Sequence, residues 1–410
     1  MKKIVLLLAL VLTGLSLPAQ VLWIHRGNTV ITVPAAQTGE MTYGAEGTTL
    51  TIAGTTYAVS QIDSITVQQT AQPDSTVLIN YVEGQLPRIF IPATLASLIT
   101  TATDNAHVTL NSAQTGGGEV TYTLQGRSTD GSFTLNGSFK CTVELNGIAL
   151  TSQRGSAIHI QNGKRIDVVM KKGTVNTLTD SENGTQKACF FVKGHPEFKG
   201  EGTLILYGNS RHAFASDEYT WIKKSAGRIE VRKALSDAFH CGQYFRMDGG
   251  DLYLAGMAGD GIQAEYTKDP TDEMNGQLLI CSGKLTIELG GEDIKGLKCD
   301  SILTLSGGEI SINVTGNGSK GISSEKAMYI NQKTNPLVLN IQTSGGVYIN
   351  PADPTDDSKC MGIRCKGDLH IDDGIIRVIS TGTKGKSIKV DGVYYGPGRA
   401  QLEVSPAMEY

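Results

Sequence analysis

Acidic residues recur at matching places in successive copies of a short pattern in the second half of the chain. Three consecutive copies carry Glu265, Asp300 and Glu325 at the same position. If the copies stack as neighbouring strands, about 4.8 Å apart, these carboxylates repel one another unless a cation lies between them. Ca²⁺ accepts six to eight oxygen ligands in a tolerant geometry. The pattern therefore predicts a calcium site along this row.

Further acidic residues stand just before the same segments and extend the predicted site. The full set of predicted calcium ligands is Asp237, Asp260, Glu265, Asp293, Asp300 and Glu325. The alternative is a row of solvated or turn-forming acids, because Asp before Gly is a common turn residue for purely local reasons. Lys295, Lys298 and Lys320 are also close enough in the repeat to neutralise part of the row.

Basic and aromatic residues accompany the acids, namely Arg228, Arg232, Lys295, Lys298, Lys320, Tyr253 and Tyr266. Solvated charges and ion pairs explain the lysines, and core packing or exposure explains the tyrosines.

The remaining reactive residue types form no motif. The seven histidines are scattered, and no Cys-x-x-Cys or Cys/His spacing predicts a zinc site. The Gly pairs lie between strand patterns rather than before helices, which argues against a phosphate loop. Cys241, Cys299 and Cys365 share one position that alternates with apolar neighbours, so they are predicted to be small core residues. Because seven is odd, at least one cysteine is unpaired within a monomer.

Four copies of a strand–turn–strand pattern between Gly227 and Glu325 must position these residues. Each copy begins with Gly and alternates apolar with polar residues, as in Gly250-Asp-Leu-Tyr-Leu254. One face of each strand is therefore apolar, and a single copy cannot bury it. Stacked copies pair their backbones and enclose an apolar interior. The sequence thus predicts an all-β fold, a right-handed parallel β-helix with a small N-terminal β unit.

Three segments divide the chain. Residues 1–19 read as a signal peptide, with Lys2 and Lys3 before an apolar run that is too short to span a bilayer. Residues 20–75 are predicted to form the small β unit and a linker, and residues 76–410 the β-helix. The Ile-Asp-Ser-Ile phrase at 62–65 resembles the N-terminal leaders of secreted Bacteroidota proteins. The protein is therefore expected to be secreted, to the periplasm or beyond, with no membrane insertion after cleavage.

Composition and charge limit the kinds of molecule that are expected as partners. The chain has 410 residues, 49 of them Gly, and a formal net charge of -4. A mildly acidic chain does not suggest nucleic acid as a partner. The protein is expected to act as a monomer.

Three phrases resemble the repeating text of a secreted bacterial family of carbohydrate-binding domains. They are Gly-Asp-Gly-Ile-Gln-Ala-Glu at 259–265, Gly-Gly-Glu-Asp-Ile-Lys-Gly at 290–296 and Leu-Thr-Leu-Ser-Gly-Gly-Glu-Ile-Ser-Ile at 303–312. That family is similar to polygalacturonate-binding β-helix proteins and distantly to family 9 polysaccharide lyases. The resemblance implies a right-handed parallel β-helix, bound Ca²⁺ and an acidic polysaccharide such as pectin as ligand.

The family's acidic positions match Asp260, Glu265, Asp293 and Asp300. The chain departs from the family at Lys295 and Lys320, where Asp is frequent, and at Gly242. The function that the resemblance implies, and the preferred one, is calcium-dependent binding of acidic polysaccharide without catalysis, with Arg228, Arg232, Lys295, Lys298, Tyr253 and Tyr266 as the predicted carbohydrate contacts. The first alternative is a pectate-lyase-like enzyme, in which Lys295, Lys298 or Lys320 would be the base that a β-elimination on a uronate needs besides Ca²⁺. The second is a structural or adhesive solenoid without a sugar ligand.

Overall fold

The protein is built of short strands. The computed structural model describes residues 20–69, 73–116, 118–266, 271–272 and 274–410, so the predicted signal peptide lies outside the described residues. Within these ranges the chain forms forty strands and four short 3₁₀ helices. None of the helices in the described ranges is long and apolar enough to cross a membrane. The prediction of an all-β fold is confirmed.

The strands of the first half are, in chain order, β1 (Val21–Arg26), β2 (Thr29–Pro34), β3 (Thr42–Tyr43), β4 (Thr49–Ile52), β5 (Thr55–Ala58), β6 (Ser64–Gln68), β7 (Thr76–Tyr81), β8 (Arg88–Pro92), β9 (Ile99–Asp104), β10 (Ala106–Ser112), β11 (Val120–Ser128), β12 (Gly131–Asn136), β13 (Cys141–Thr151), β14 (Ile158–Gln161), β15 (Arg165–Met170), β16 (Val175–Thr179), β17 (Ala188–Val192), β18 (His195–Gly208), β19 (His212–Ser216) and β20 (Thr220–Ala234). The 3₁₀ helices are Ala35–Gln37, Ala45–Gly47, Val59–Gln61 and Ala93–Leu95.

The strands of the second half are β21 (Phe239–Cys241), β22 (Phe245–Met247), β23 (Asp251–Leu254), β24 (Ile262–Ala264), β25 (Leu278–Ile280), β26 (Lys284–Leu289), β27 (Lys295–Cys299), β28 (Leu303–Leu305), β29 (Gly308–Val314), β30 (Lys320–Ser324), β31 (Met328–Asn331), β32 (Leu337–Thr343), β33 (Val347–Ile349), β34 (Asp357–Lys359), β35 (Met361–Cys365), β36 (Leu369–Asp373), β37 (Ile375–Ser380), β38 (Lys386–Val390), β39 (Tyr394–Tyr395) and β40 (Gln401–Ser405).

The chain divides into two compact units. Of the described residues, the first unit takes those up to Asp74 together with Phe90–Ala96, and the second takes those in Ser75–Ile89 and Ser97–Tyr410. In the first unit, β1 pairs antiparallel with β2 and β6, and β4 pairs antiparallel with β3 and β5. The segment Phe90–Ala96 thus lies in the first unit, although the sequence analysis assigned it to the second domain.

Parallel pairing dominates the second unit. One sheet, here called sheet II, runs β9-β10-β12-β14-β17-β19-β21-β24-β27-β30-β35-β38, and every pair after β9–β10 is parallel. Two further parallel series, here together called sheet I, run β22-β25-β28-β31-β36-β39 and β23-β26-β29-β32-β37-β40. Each repeat of the sequence therefore contributes one strand to each of three series.

The core follows the period-two pattern of these strands. In sheet II, Ile262, Leu297, Ile322, Ile363 and Ile388 occupy one register position in successive strands, and all five are fully buried. Two residues along each strand, Cys241, Cys299 and Cys365 are also fully buried, as predicted. All seven cysteines are free thiols. Side chains between these positions must therefore point away from the core.

Candidate functional site

A basic cleft of about 650 Å³ lies over the C-terminal strands of sheet II. Its floor is formed by β27, β30, β35 and β38, and its side by the antiparallel β33–β34 hairpin. The basic side chains that line it are Lys295, Lys298, Lys320, Lys359, Arg364, Lys366, Lys386 and Lys389, and the acidic ones are Glu325, Asp356 and Asp357. The lining thus carries eight cationic groups and three carboxylates, and Asp260, Asp293, Asp391 and Glu409 also contact bases of the cleft. The excess of cationic groups in the lining suits an anionic ligand.

The register of sheet II explains why these bases gather in one place. Lys298, Ser323, Arg364 and Lys389 pair in succession across β27, β30, β35 and β38. Each stands between two core positions of its strand, so each projects outward. Because parallel strands are about 4.8 Å apart, their polar ends form a row along the stack. Lys295, Lys320 and Lys386 form a second row at the start of the same strands.

Lys320 is the most enclosed base of the cleft. Its Nζ donates to the carbonyl oxygen of Gly318 at 2.6 Å and contacts Asp293 Oδ1 at 3.1 Å. Ser358, from the hairpin, also bonds to Lys320 and donates to Asp293 Oδ1 at 2.8 Å. Burial lowers the pKa of Lys320 below its ordinary value despite the opposing charge of Asp293. The hairpin is thereby fastened to the floor of the cleft.

Most predicted calcium ligands contact a basic side chain. Asp260 Oδ2 lies 3.2 Å from Lys298 Nζ, and Glu325 Oε2 lies 2.7 Å from Lys366 Nζ. Burial raises the pKa of Asp260, which the charge of Lys298 only partly offsets. Asp293 contacts both Lys320 and Lys295, the latter at 3.6 Å. Bases from neighbouring repeats thus neutralise much of the predicted row.

Asp300 differs from the rest of the predicted row. Its Oδ2 accepts the main-chain N–H of Tyr266 at 3.2 Å. Within the described part of the chain, Asp300 makes no ion pair, whereas the other five predicted ligands each contact a Lys or a His. Asp300 is therefore the member of the row best able to give its carboxylate to a cation.

Asp237 and Glu265 lie together at the other end of the row, around His240. Asp237 Oδ2 is 3.0 Å from His240 Nδ1, and Glu265 Oε2 is 3.4 Å from His240 Nε2. Burial would lower the pKa of His240, but the two carboxylates outweigh it and raise the pKa to about 9. The hydrogen bond from His240 lowers the pKa of Glu265. Burial would raise the pKa of Asp237, yet its histidine contacts hold it well below the ordinary value.

The predicted carbohydrate contacts fall in separate places. Lys295 and Lys298 line the cleft on sheet II. Arg228 and Arg232 belong to β20 and both contact Glu230, and they lie 5.8 and 5.1 Å from the ring of Tyr253 in β23. Tyr266 follows β24 with 46% of its surface exposed, and Lys326 Nζ lies 5.2 Å from its ring. The six residues therefore do not form one site.

Sequence reasoning missed the C-terminal half of the cleft. Arg364, Lys366, Lys386 and Lys389 lie in the last two clear copies of the repeat, which were not chosen as site residues. Aligning their copies on Lys298 would have revealed the row. The hairpin that closes one side has no counterpart in neighbouring copies, so its position over the sheet could not be read from the repeat.

Comparisons with known proteins bear on this fold and cleft. A family model described as carbohydrate-binding domain-containing protein matches residues 104–393, which include the whole cleft. No curated protein matches the chain. A solved polysaccharide lyase-like protein from C. thermocellum, a gadolinium derivative, is similar at 18% identity and a TM-score of 0.46, over 65% of this chain and 96% of that one. Because the family match spans well over half of the sequence, the chain belongs to the family of carbohydrate-binding domain-containing proteins.

Proposed function

We propose that the protein binds an acidic polysaccharide, of the polygalacturonate type, in the basic cleft on sheet II. The observation that carries the proposal is the row on sheet II that aligns Lys298, Arg364 and Lys389, with Ser323 between Lys298 and Arg364. Membership of a carbohydrate-binding family supports a polysaccharide as ligand. The charge of the cleft supports a uronate polymer over a neutral one.

The row suits a polymer better than a small sugar. Arg364 and Lys389 lie on neighbouring strands, about 4.8 Å apart, and Lys298 lies two strands before Arg364. The row therefore offers several charged contacts along one direction. Arg presents a planar fork that matches a carboxylate with two hydrogen bonds, and Arg364 lies in the middle of the row. Several weak charged contacts along one chain add to an affinity that no single contact supplies.

Calcium remains part of the proposal as a second contribution. Asp300 is the predicted ligand without an ion pair in the described ranges, and a uronate would add carboxylate oxygens to it. Ca²⁺ would hold sugar and protein carboxylates together there. We also propose that the three parallel series wind as a right-handed β-helix, since parallel crossovers almost always have that hand, and that the chain is secreted.

Retention on immobilised polygalacturonate tests the proposal, with neutral dextran as the matched matrix. We expect retention on polygalacturonate alone, falling steeply with added salt because the contacts are ionic. The measurement is repeated with a chelator, which separates direct contacts from a calcium bridge. Equal retention on the two polymers, or none on either, would exclude the proposed ligand.

Eliminative cleavage of the same polymer is a second candidate function. The observation that favours it is the lowered pKa of the buried Lys320, because a base must be deprotonated to take a proton. Incubation with polygalacturonate and Ca²⁺ would then yield unsaturated product that absorbs in the ultraviolet. We expect Lys320→Ala to abolish that signal and Arg228→Ala to leave it unchanged. No absorbance change with the unaltered protein would exclude this candidate.

A further inference from the structure

Two histidines and an aspartate converge at a point that the basic cleft does not include. His212 begins β19, Asp237 lies two residues before β21, and His240 is the middle residue of β21. The parallel pairing of Phe214 with Phe239 aligns the two strands, so that residues 28 positions apart in sequence become neighbours. The two imidazole rings are stacked, with centroids 4.2 Å apart and planes 24° from parallel.

The distances between potential ligand atoms fit a small divalent ion. Asp237 Oδ2 lies 3.2 Å from His212 Nδ1 and 3.0 Å from His240 Nδ1, and the three residues each offer a ligand atom within 4.8 Å of the other two. Metal–ligand bonds of about 2.0–2.1 Å in a tetrahedron place ligand atoms about 3.3 Å apart. Each histidine nitrogen therefore lies at about the required separation from the carboxylate oxygen. Because the rings are stacked, at least one ring must turn out of the stack for both in-plane lone pairs to meet one ion.

The environment of the trio holds it in this arrangement. The side chain of Asp237 is 7% exposed, and those of His212 and His240 are 15% and 20% exposed. Asp237 Oδ1 accepts the main-chain N–H of Asp260 at 2.8 Å, which leaves Oδ2 directed at the histidines. Glu265 lies 3.4 Å from His240 Nε2. A carboxylate behind a histidine ligand fixes the ring and leaves its other nitrogen for a metal.

The ligand types select the class of metal. Two imidazole nitrogens and one carboxylate oxygen suit Zn²⁺ and its neighbours in the first transition row, whereas Ca²⁺ prefers oxygen ligands alone. Three protein ligands leave a fourth position for water or a sugar oxygen. The main-chain N–H of Asp237 also donates to His212 Nδ1 at 3.2 Å, so ligation exchanges this hydrogen bond for the metal bond.

We propose that His212, Asp237 and His240 form a binding site for a divalent transition metal of the zinc class. Asp237, one of the predicted calcium ligands, belongs to this site instead, because its Oδ2 faces two imidazole nitrogens. The site is reached from solvent on the side of the partly exposed histidine rings. It lies several strands along sheet II from Arg364 and Lys389, so it does not depend on the polysaccharide proposal.

Titration with Co²⁺ tests the site, because tetrahedral Co²⁺ with nitrogen ligands absorbs visible light. The full chain is used without a histidine tag and after removal of metals by chelation. We expect the absorption of bound Co²⁺ to saturate at one equivalent. Zn²⁺ should displace the Co²⁺, which calorimetry can follow, and millimolar Ca²⁺ should not. Absence of both the absorption and a Zn²⁺ binding heat would overturn the proposal.

Three substitutions locate the metal. His212→Gln and His240→Gln should each weaken Zn²⁺ binding at least tenfold, whereas His370→Gln should not. His370 is a matched control because its ring is stacked between Tyr329 and Tyr395 in sheet I. Circular dichroism shows whether each variant is folded. Polygalacturonate retention shows whether the cleft still works, so that the metal proposal and the polysaccharide proposal can fail separately. Unchanged Zn²⁺ affinity in both His212→Gln and His240→Gln would place the metal elsewhere and refute the assignment.

Discussion

Lys298 and Asp260 form an ion pair between successive repeats, with Nζ 3.2 Å from Oδ2. The sequence predicted Asp260 as a calcium ligand and Lys298 as a carbohydrate contact, yet each is the other's partner. Burial would lower the pKa of Lys298, but the charge of Asp260 raises it. A lysine held in this way keeps its charge in the cleft, and its orientation is set before a ligand arrives.

Removing a base from the row should weaken polysaccharide binding. We expect Arg364→Ala and Lys389→Ala each to reduce affinity for polygalacturonate roughly ten- to a hundredfold, since a hydrogen bond to a charged group contributes about 1.5–3 kcal/mol. Binding is measured by isothermal titration with a defined oligogalacturonate. Both side chains point away from the core and share Asp391 as a partner, so the core should be unaffected.

Arg228→Ala is the control for that comparison. Arg228 also carries a positive charge and also contacts carboxylates, those of Glu230 and Asp251, but on β20 rather than in the cleft. We expect its affinity to equal that of the unaltered protein. If Arg228→Ala lost affinity for polygalacturonate and Arg364→Ala did not, the binding surface would lie around Arg228 on β20 and not in the cleft.

Calcium should stabilise the protein through Asp300. A ligand that binds only the folded state adds about 2.7 kcal/mol when its concentration is a hundred times Kd. We expect added Ca²⁺ to raise Tm of the unaltered protein in a calorimetric scan, and Asp300→Asn to abolish most of the rise. Glu288→Gln, an acidic residue of β26 in sheet I, is the control and should retain it. If added Ca²⁺ leaves the Tm of the unaltered protein unchanged, this prediction is wrong.

The repeat pattern was sufficient to predict the strands and the core. Alternation places Leu297 and Cys299 inward and Lys298 outward, and the structure buries the first two fully. The position of a residue within its copy therefore determines whether its side chain points into or away from the core. Matching positions within successive copies also predicted that Glu265, Asp300 and Glu325 follow one another along the stack, and their main-chain N–H groups bond to the preceding strands in the same way.

The partners of those acids could not be predicted from spacing. Whether Asp260 contacts a metal ion or a lysine depends on the side-chain conformation of Lys298, which the repeat does not specify. His212 could not be predicted for another reason: it lies in the copy before Gly227, and the four clearest copies begin only at Gly227. Extending the alignment by one copy places His212 directly before Asp237 in the first-position row. Scattered histidines then become neighbours.

The network around His240 should make stability depend on pH. Contacts with Asp237 and Glu265 raise the pKa of His240 from 6.5 to about 9, so its stabilisation is complete below pH 6.5 and is lost as the pH rises to about 9. The loss should be on the order of 3 kcal/mol, at 1.36 kcal/mol for each pKa unit. Urea unfolding in the presence of chelator measures it. His240→Gln should flatten the profile in this range, and a profile that His240→Gln leaves unchanged would contradict the assignment.

Close stacking of glycines should make one position in β27 intolerant of a side chain. A Cβ at Gly296 would meet the carbonyl oxygen of Gly321 in the next strand, whereas a Cβ at Gly290 would find its nearest neighbour 3.8 Å away. Backbone atoms cannot move aside without breaking the ladder of sheet II. We expect Gly296→Ala to lower the free energy of unfolding by about 1–3 kcal/mol, the usual cost of overpacking. Gly290→Ala is the control, and denaturant unfolding should show it within about 0.5 kcal/mol of the unaltered protein. If the two variants were equally stable, the strands near the floor of the cleft would be less closely stacked than the contacts of Gly296 indicate.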